Sequence, residues 1–201
     1  MSQWLGTYVQ SLTRQARELD VRRRTAFAAW CLESLFTDCE QHLAGKGGEG
    51  EANVLRVLLN AMWQHALGAS QVSEREVDRL HCAVMSLDYR EDEDIGEHEI
   101  VLDQRVLETL NCAVEAVAVL RDGSASSAAA AARCVLNQVD FELTMEPATR
   151  ALENIEEAMI QRELERQQQM IVFLKTASAL TDADRSLFAQ RWKSGPDTGA
   201  S

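Results

Sequence analysis

A helical periodicity that runs through almost the whole chain is the feature that most restricts its fold. Apolar residues recur every three to four positions, and the 201 residues contain only two prolines, Pro147 and Pro196. Alternating runs rich in valine, isoleucine and threonine, which are typical of strands, are missing. The pattern therefore predicts an all-α fold, a single-domain helical bundle of about seven or eight helices.

Capping signals and apolar stripes place the predicted helices along the chain. Ser73-Glu74-Arg75-Glu76 is a capping box, in which the serine and glutamate side chains satisfy free backbone N–H groups. A Thr181-x-x-Asp184 cap begins the last helix. We expect helices over about residues 2–19, 22–44, 50–67, 73–85, 98–121, 125–142, 147–179 and 182–192. A single domain then spans residues 1–193, and residues 194–201 form a disordered tail.

Three of these helices have distinctive compositions. The fifth is apolar around most of its circumference, which is typical of a central helix. The sixth contains five consecutive alanines, 128–132, which allow a neighbouring helix to approach closely. The middle of the seventh, 161–169, is almost wholly polar. We expect that stretch either to project into solvent or to meet polar groups on a partner.

Charge and cysteine content exclude several classes of protein. The chain has 20 basic and 32 acidic residues, a net charge of −12, which argues against nucleic-acid binding because phosphates require clustered lysine and arginine. No apolar run approaches 18 residues, so we expect no membrane-spanning helix. The N-terminal segment lacks the pattern of a signal peptide. An odd number of scattered cysteines, five, favours buried reduced thiols, and we expect a cytoplasmic protein.

Acidic residues are concentrated before and at the start of the fifth helix. Eight acids and one arginine between residues 91 and 108 account for −7 of the net charge. The simplest interpretation is a solvated loop that leads into a helix N-terminus, where acids are favoured. The alternatives are a metal site or a docking surface for a basic partner. The candidate docking residues are Glu91, Asp92, Glu93, Asp94, Glu97 and Glu99.

A triplet of arginines, 22–24, lies at the start of the second helix. We interpret it as a solvated helix start, with a phosphate or partner contact as the alternative.

Motifs for cofactor binding and catalysis are missing. The sequence contains neither G-x-x-x-x-G-K-[ST] nor G-x-G-x-x-G. Asp78-x-x-His81 and Cys39-x-x-His42 each supply two metal ligands, whereas a structural zinc needs four and a di-iron bundle needs Glu-x-x-His on two helices. The four histidines accompany no local nucleophile signature. We therefore predict no cofactor, no metal and no enzymatic activity.

Several polar residues lie within otherwise apolar helical stretches. A buried carboxylate is costly unless it is paired, so such residues are expected to meet polar partners. They could form one hydrogen-bond network that fixes helix register, lie at an exposed edge, or line a small pocket. The residues in question are Glu33, Asn111, Glu115, Asn137 and Asp140.

The order of helical segments resembles the YjaG-like family of bacterial proteins of unknown function. The resemblance lies in the stretches RTAFAAWCLE (24–33), VLRVLLNAMW (54–63) and LNCAVEAVAVL (110–120), and in Pro147 at the start of the last long helix. It covers about residues 15–178, and it depends on the order and spacing of segments rather than on one motif. It implies an all-α cytoplasmic fold and no particular activity.

These observations lead to two functional hypotheses. The first is a non-enzymatic protein that acts through protein–protein contact, as a regulator, adaptor or toxin-neutralising protein, with itself as a homodimer or with a basic protein as its partner. The second is an enzyme or small-ligand-binding protein with a polar pocket inside the bundle. The acidic residues and the polar middle of the seventh helix favour the first hypothesis.

Overall fold

A computed structural model describes residues 3–87, 97–145 and 153–193. These ranges contain eight helices and no strand, which confirms the predicted all-α fold. The helices are α1 (Gln3–Arg17), α2 (Val21–Gly45), α3 (Glu49–Ala66), α4 (Glu74–Met85), α5 (Glu97–Asp122), α6 (Ala125–Met145), α7 (Glu153–Thr176) and α8 (Asp182–Lys193).

Side-chain caps, one of them predicted from the sequence, explain where α2 and α4 begin. The Ser73 hydroxyl accepts a hydrogen bond from the Glu76 N–H (3.3 Å), as the capping box predicts. Asp20 caps α2 by accepting from the Arg23 N–H (2.9 Å). The predicted start of the seventh helix at Pro147 lies outside the described residues. Elsewhere the predicted and observed helix ends agree within three residues.

Helices α2, α5 and α6 form the centre of the bundle. They pack on one another, while α3 and α8 lie on α2, α4 lies on α5, and α1 and α7 lie on α6. Four of the five consecutive alanines 128–132 on α6 are fully buried, which fits the close approach of helices that the alanine run predicts. Helix α5 is central as expected, although Asn111 and Val114 are exposed on its outer face.

The arginine triplet at the start of α2 is a solvated helix start only at Arg22, which is exposed, and not at Arg23 and Arg24. Arg24 donates to the carbonyl oxygens of Leu19 (2.9 Å) and Gly123. Arg23 donates to the Ala177 oxygen (2.6 Å). These carbonyls follow the last turns of α1, α5 and α7, where backbone oxygens lack helical partners and positive charge is favoured. Two of the three arginines therefore join several helix ends at one pole of the bundle.

The cysteines agree in part with the predicted pattern. Four are buried and all five are free, and only Cys82 is exposed. Burial raises the pKa of the Cys39 thiol to about 11, so this side chain stays protonated and packs as a small apolar group. Within the described ranges, none of the helices combines the length and apolar character that crossing a membrane requires.

Candidate binding groove

A groove of about 490 Å³ lies between the C-terminal half of α3 and the start of α8. Its lining combines apolar surface with side-chain amides and charges, which suits a site that fixes a ligand by a few polar contacts. The residues that matter most for its chemistry are Asn60, Trp63, Gln64, Leu180, Asp182 and Arg185.

Two residues that line the groove, Trp63 and Arg185, contact Glu33 of α2, and we call these three residues the open triad. The Trp63 indole Nε1–H donates to Glu33 Oε2 (2.9 Å), and Arg185 Nη2 donates to Glu33 Oε1 (2.7 Å). The Arg185 guanidinium carbon lies 5.3 Å from the Trp63 ring centroid, within cation–π range. Arg185 remains 31% exposed and Glu33 22%, so water reaches both charges.

The local sequence of α8 positions Arg185 in this cluster. Thr181 and Asp184 cap the helix reciprocally: the Asp184 N–H donates to the Thr181 hydroxyl (3.3 Å), and the Thr181 N–H donates to Asp184 Oδ2 (2.9 Å). The cap predicted from Thr181-x-x-Asp184 is thereby confirmed. The cap fixes the first turn of α8, and Arg185 is the residue that follows Asp184.

A second cluster of the same three residue types lies nearby in the core, and we call it the sealed triad: Glu163, Arg166 and Trp30. Arg166 pairs with Glu163, and its guanidinium carbon lies 5.2 Å from the Trp30 ring centroid. Glu163 is only 5% exposed. Burial raises the pKa of Glu163 above its usual range and lowers the pKa of Arg166, because each charged form loses its hydration.

Gln167 connects the sealed triad to the rest of the core. Its amide donates to Glu163 Oε1 (2.8 Å) and to the Ala132 carbonyl (3.0 Å), and it accepts from the Tyr8 hydroxyl (3.0 Å). Beside it, Gln168 and Gln15 exchange two hydrogen bonds. Gln167 and Gln168 therefore meet α1 and α6 of the same chain. The predicted projection into solvent holds for the outer face of this stretch, where Gln161, Arg162, Glu165 and Gln169 are exposed.

The structure does not bring the five predicted polar residues into one network. Glu33 belongs to the open triad, whereas the Asn137 amide lies 3.4 Å from both carboxylate oxygens of Glu108. Asn111 and Asp140 are exposed and Glu115 is half-buried. Asn111 and Asp140 match the alternative of an exposed edge, rather than a shared network or a pocket. Of the five, Glu33 alone lies beside the described groove.

Sequence reasoning missed the burial of another carboxylate, that of Asp103, which is 2% exposed. His42 Nε2 lies 2.6 Å from Asp103 Oδ1, and Lys46 Nζ lies 3.0 Å from the same oxygen. His42, one half of the Cys39-x-x-His42 spacing, therefore faces a carboxylate, while the Cys39 sulfur lies 3.3 Å from the Thr109 hydroxyl. His42 and Lys46 lie close together in sequence at the C-terminal end of α2. This pair of basic residues was the sequence signal that could have indicated a buried acidic partner.

The candidate acidic docking surface lies mostly outside the described residues. Glu91, Asp92, Glu93 and Asp94 fall in the gap between α4 and α5. Glu97 and Glu99 lie in the first turn of α5, where acids are favoured by the helix dipole. The docking role of this surface stays a prediction.

No protein-family model, no curated protein and no solved structure matches the chain. The resemblance to the YjaG-like family likewise stays a prediction.

Proposed function

We propose that the chain is a non-enzymatic cytoplasmic protein that binds a basic protein partner through an arginine side chain of that partner. The proposed binding site is the groove between α3 and α8, with Glu33 and Trp63 as the residues that recognise the guanidinium group. The proposal keeps the protein–protein contact expected from the acidic composition, but it differs from the sequence-based hypothesis in using Glu33 rather than the acidic residues 91–99 as the main contact.

The observation that carries the proposal is the position of Arg185. A carboxylate and an indole face already hold one guanidinium group at this surface, with two N–H groups directed at Glu33 and the ring plane below. Trp63 also orients Glu33 through its indole N–H. Arginine is the side chain whose planar cation uses both kinds of contact at once. The same geometry suits an arginine that comes from another protein.

Charge and polar lining support a basic segment as the occupant. The net charge of −12 attracts a basic partner over long distances and speeds encounter. Asn60 and Gln64, which are exposed on α3 at the groove, offer amide donors and acceptors to the backbone of a bound segment. The predicted acidic surface at 91–99 would add to this attraction.

Titration with a blocked peptide that contains one arginine between glycines tests the proposal. The readout is the NMR signal of the Trp63 indole N–H, assigned by its loss in Trp63→Phe. We expect saturable shifts that weaken in high salt, and no shift when citrulline, a neutral isostere, replaces arginine.

Two variants with the same change of charge complete this test. Glu33→Gln should weaken binding by about tenfold or more, because the charge-assisted hydrogen bonds to the guanidinium are lost. Glu40→Gln is the matched control, since Glu40 also pairs with an arginine, Arg56, but lies away from the groove lining. Equal affinity in wild type and Glu33→Gln would overturn the proposed function.

A further inference from the structure

The open triad contains one guanidinium site, and α8 of the same chain fills it. Both Arg185 hydrogen bonds go to Glu33 Oε1, and the other carboxylate oxygen accepts from Trp63. The face of Trp63 is likewise covered by Arg185. A second guanidinium therefore cannot make the same contacts while Arg185 is in place.

The described first half of α8 makes few buried contacts with the rest of the chain. Its described side chains, 182–187, are exposed or half-buried, and Leu187 is 41% exposed. Among them, Arg185 alone forms side-chain hydrogen bonds to another helix. Few buried apolar contacts are characteristic of segments that open at low cost in free energy.

The segment before α8 allows the helix to move as a unit. Helix α7 ends at Thr176, and non-helical residues lie between it and Asp182. The reciprocal cap of Thr181 and Asp184 uses only groups of that segment itself, so it persists when Arg185 leaves Glu33. In contrast, Arg166 lies three residues from Glu163 on the same helix and cannot be carried away from it by such a movement.

From these features we infer that α8 is an internal competitor: Arg185 occupies the Glu33–Trp63 site, and an arginine of the partner binds there by displacing it. The inference rests on the proposed function and adds its regulation. The docked helix lowers the apparent affinity for the partner by the fraction of molecules in which the site is filled. Loosening α8 strengthens binding, and binding releases α8.

Two measurements test this competition, with the arginine peptide and the full chain. The first is peptide affinity in Arg185→Ala, which removes the internal occupant but leaves Glu33 and Trp63 intact. We expect affinity roughly fivefold to tenfold higher than in wild type, a size set by one partly exposed ion pair and one cation–π contact. Arg56→Ala, which breaks the exposed pair with Glu40, is the matched control and should leave the affinity unchanged.

The second measurement is hydrogen exchange of the amides of 177–193. Exchange should become faster in Arg185→Ala, faster in Glu33→Gln without any gain in peptide binding, and faster in wild type when the peptide saturates the site. Unchanged or slower exchange in saturated wild type would refute displacement, as would equal or lower affinity in Arg185→Ala.

Failure of this inference is distinguishable from failure of the proposed function. If the peptide binds wild type in a Glu33-dependent way but Arg185→Ala gains nothing, the function stands and the competition is refuted. If neither wild type nor Arg185→Ala binds the peptide, the proposed function itself is refuted. Arg185→Gln repeats the test with a side chain closer in size.

Discussion

Two clusters in this protein combine a glutamate, an arginine and a tryptophan, but they differ in connectivity and in surroundings. The guanidinium carbon lies 5.2 Å from the ring centroid in the sealed triad and 5.3 Å in the open triad. Helix α2 contributes Trp30 to one and Glu33 to the other, three residues apart. The sealed triad is closed by Gln167 and Tyr8, whereas the open triad lies beside a groove. The same three residue types thus lie within the packed core in one place and beside a groove in the other.

Burial changes what each charge does for stability. In the sealed triad both ions lose hydration, and the raised pKa of Glu163 means that its charged form is disfavoured despite Arg166. What this cluster contributes is a set of hydrogen bonds, made through Gln167, that joins α7 to α1 and α6. In the open triad water screens the pair, so its free energy is small and its geometry is what matters.

The largest expected effect is the loss of stability in Glu163→Ala. The change removes the acceptor of Gln167, leaves the Arg166 guanidinium without its carboxylate, and opens a cavity, so we expect the free energy of unfolding to fall by about 3–5 kcal/mol. Glu33→Ala should lose only about 1–2 kcal/mol, because water replaces its contacts. Urea denaturation of both variants measures the difference, and similar losses would contradict the distinction between the triads.

The next prediction concerns pH and Glu163→Gln. Because the pKa of Glu163 is raised in the folded state, the protonated form is favoured by folding. Its contribution to stability is therefore complete below the ordinary value of 4.5 and is lost as pH rises through the raised pKa. The variant lacks this loss, so its stability relative to wild type should increase with pH. Denaturation between pH 4 and 8 checks this, and a constant difference would show that burial does not dominate.

The all-α fold could be predicted because it depends on local signals. Caps such as Ser73-x-x-Glu76 and Thr181-x-x-Asp184 act within four residues, and helical periodicity repeats every turn. Both signals can therefore be recognised in the sequence alone. The sealed triad also left a local signal: Glu163, Gln167 and Met170 continue the spacing of the buried face of α7. The spacing therefore indicates that Glu163 and Gln167 lie on the inner face of α7, although their polarity alone suggests an exposed position.

The open triad could not be predicted in the same way. Glu33 meets Trp63 across 30 positions of sequence and Arg185 across 152. No periodicity or cap relates such distant residues, and only the packing of α3 and α8 on α2 brings them together. Polar character within an apolar helix singled out Glu33 correctly, yet the same criterion also selected Asn111 and Asp140, which are exposed.

A smaller effect is expected from Tyr8→Phe. The change removes one hydroxyl and leaves the buried Gln167 oxygen without that donor, which costs about 1–2 kcal/mol. Because both groups are neutral, the loss should be the same at low and high salt. Thermal or urea denaturation at two salt concentrations measures it. A loss of stability that disappears in salt would mean that the contact is not part of a sealed core.

The smallest expected effect is the coupling between Glu33 and Arg185. A double-mutant cycle with Glu33→Gln and Arg185→Gln should give about 0.5–1 kcal/mol at low ionic strength, decreasing towards zero in 1 M salt. The salt-independent loss in Tyr8→Phe is its control. A coupling that is larger and insensitive to salt would make the open triad a structural element like the sealed one, and would weaken the case for displacement of α8.

The arginines at the start of α2 make contacts that depend on much later parts of the chain. The carbonyl that Arg23 binds, at Ala177, lies 154 residues later. Arg24 meets Gly123 across 99 residues. During synthesis these contacts can therefore form only after residues 177 and 123, respectively, have left the ribosome, and the two guanidinium groups lack them until then.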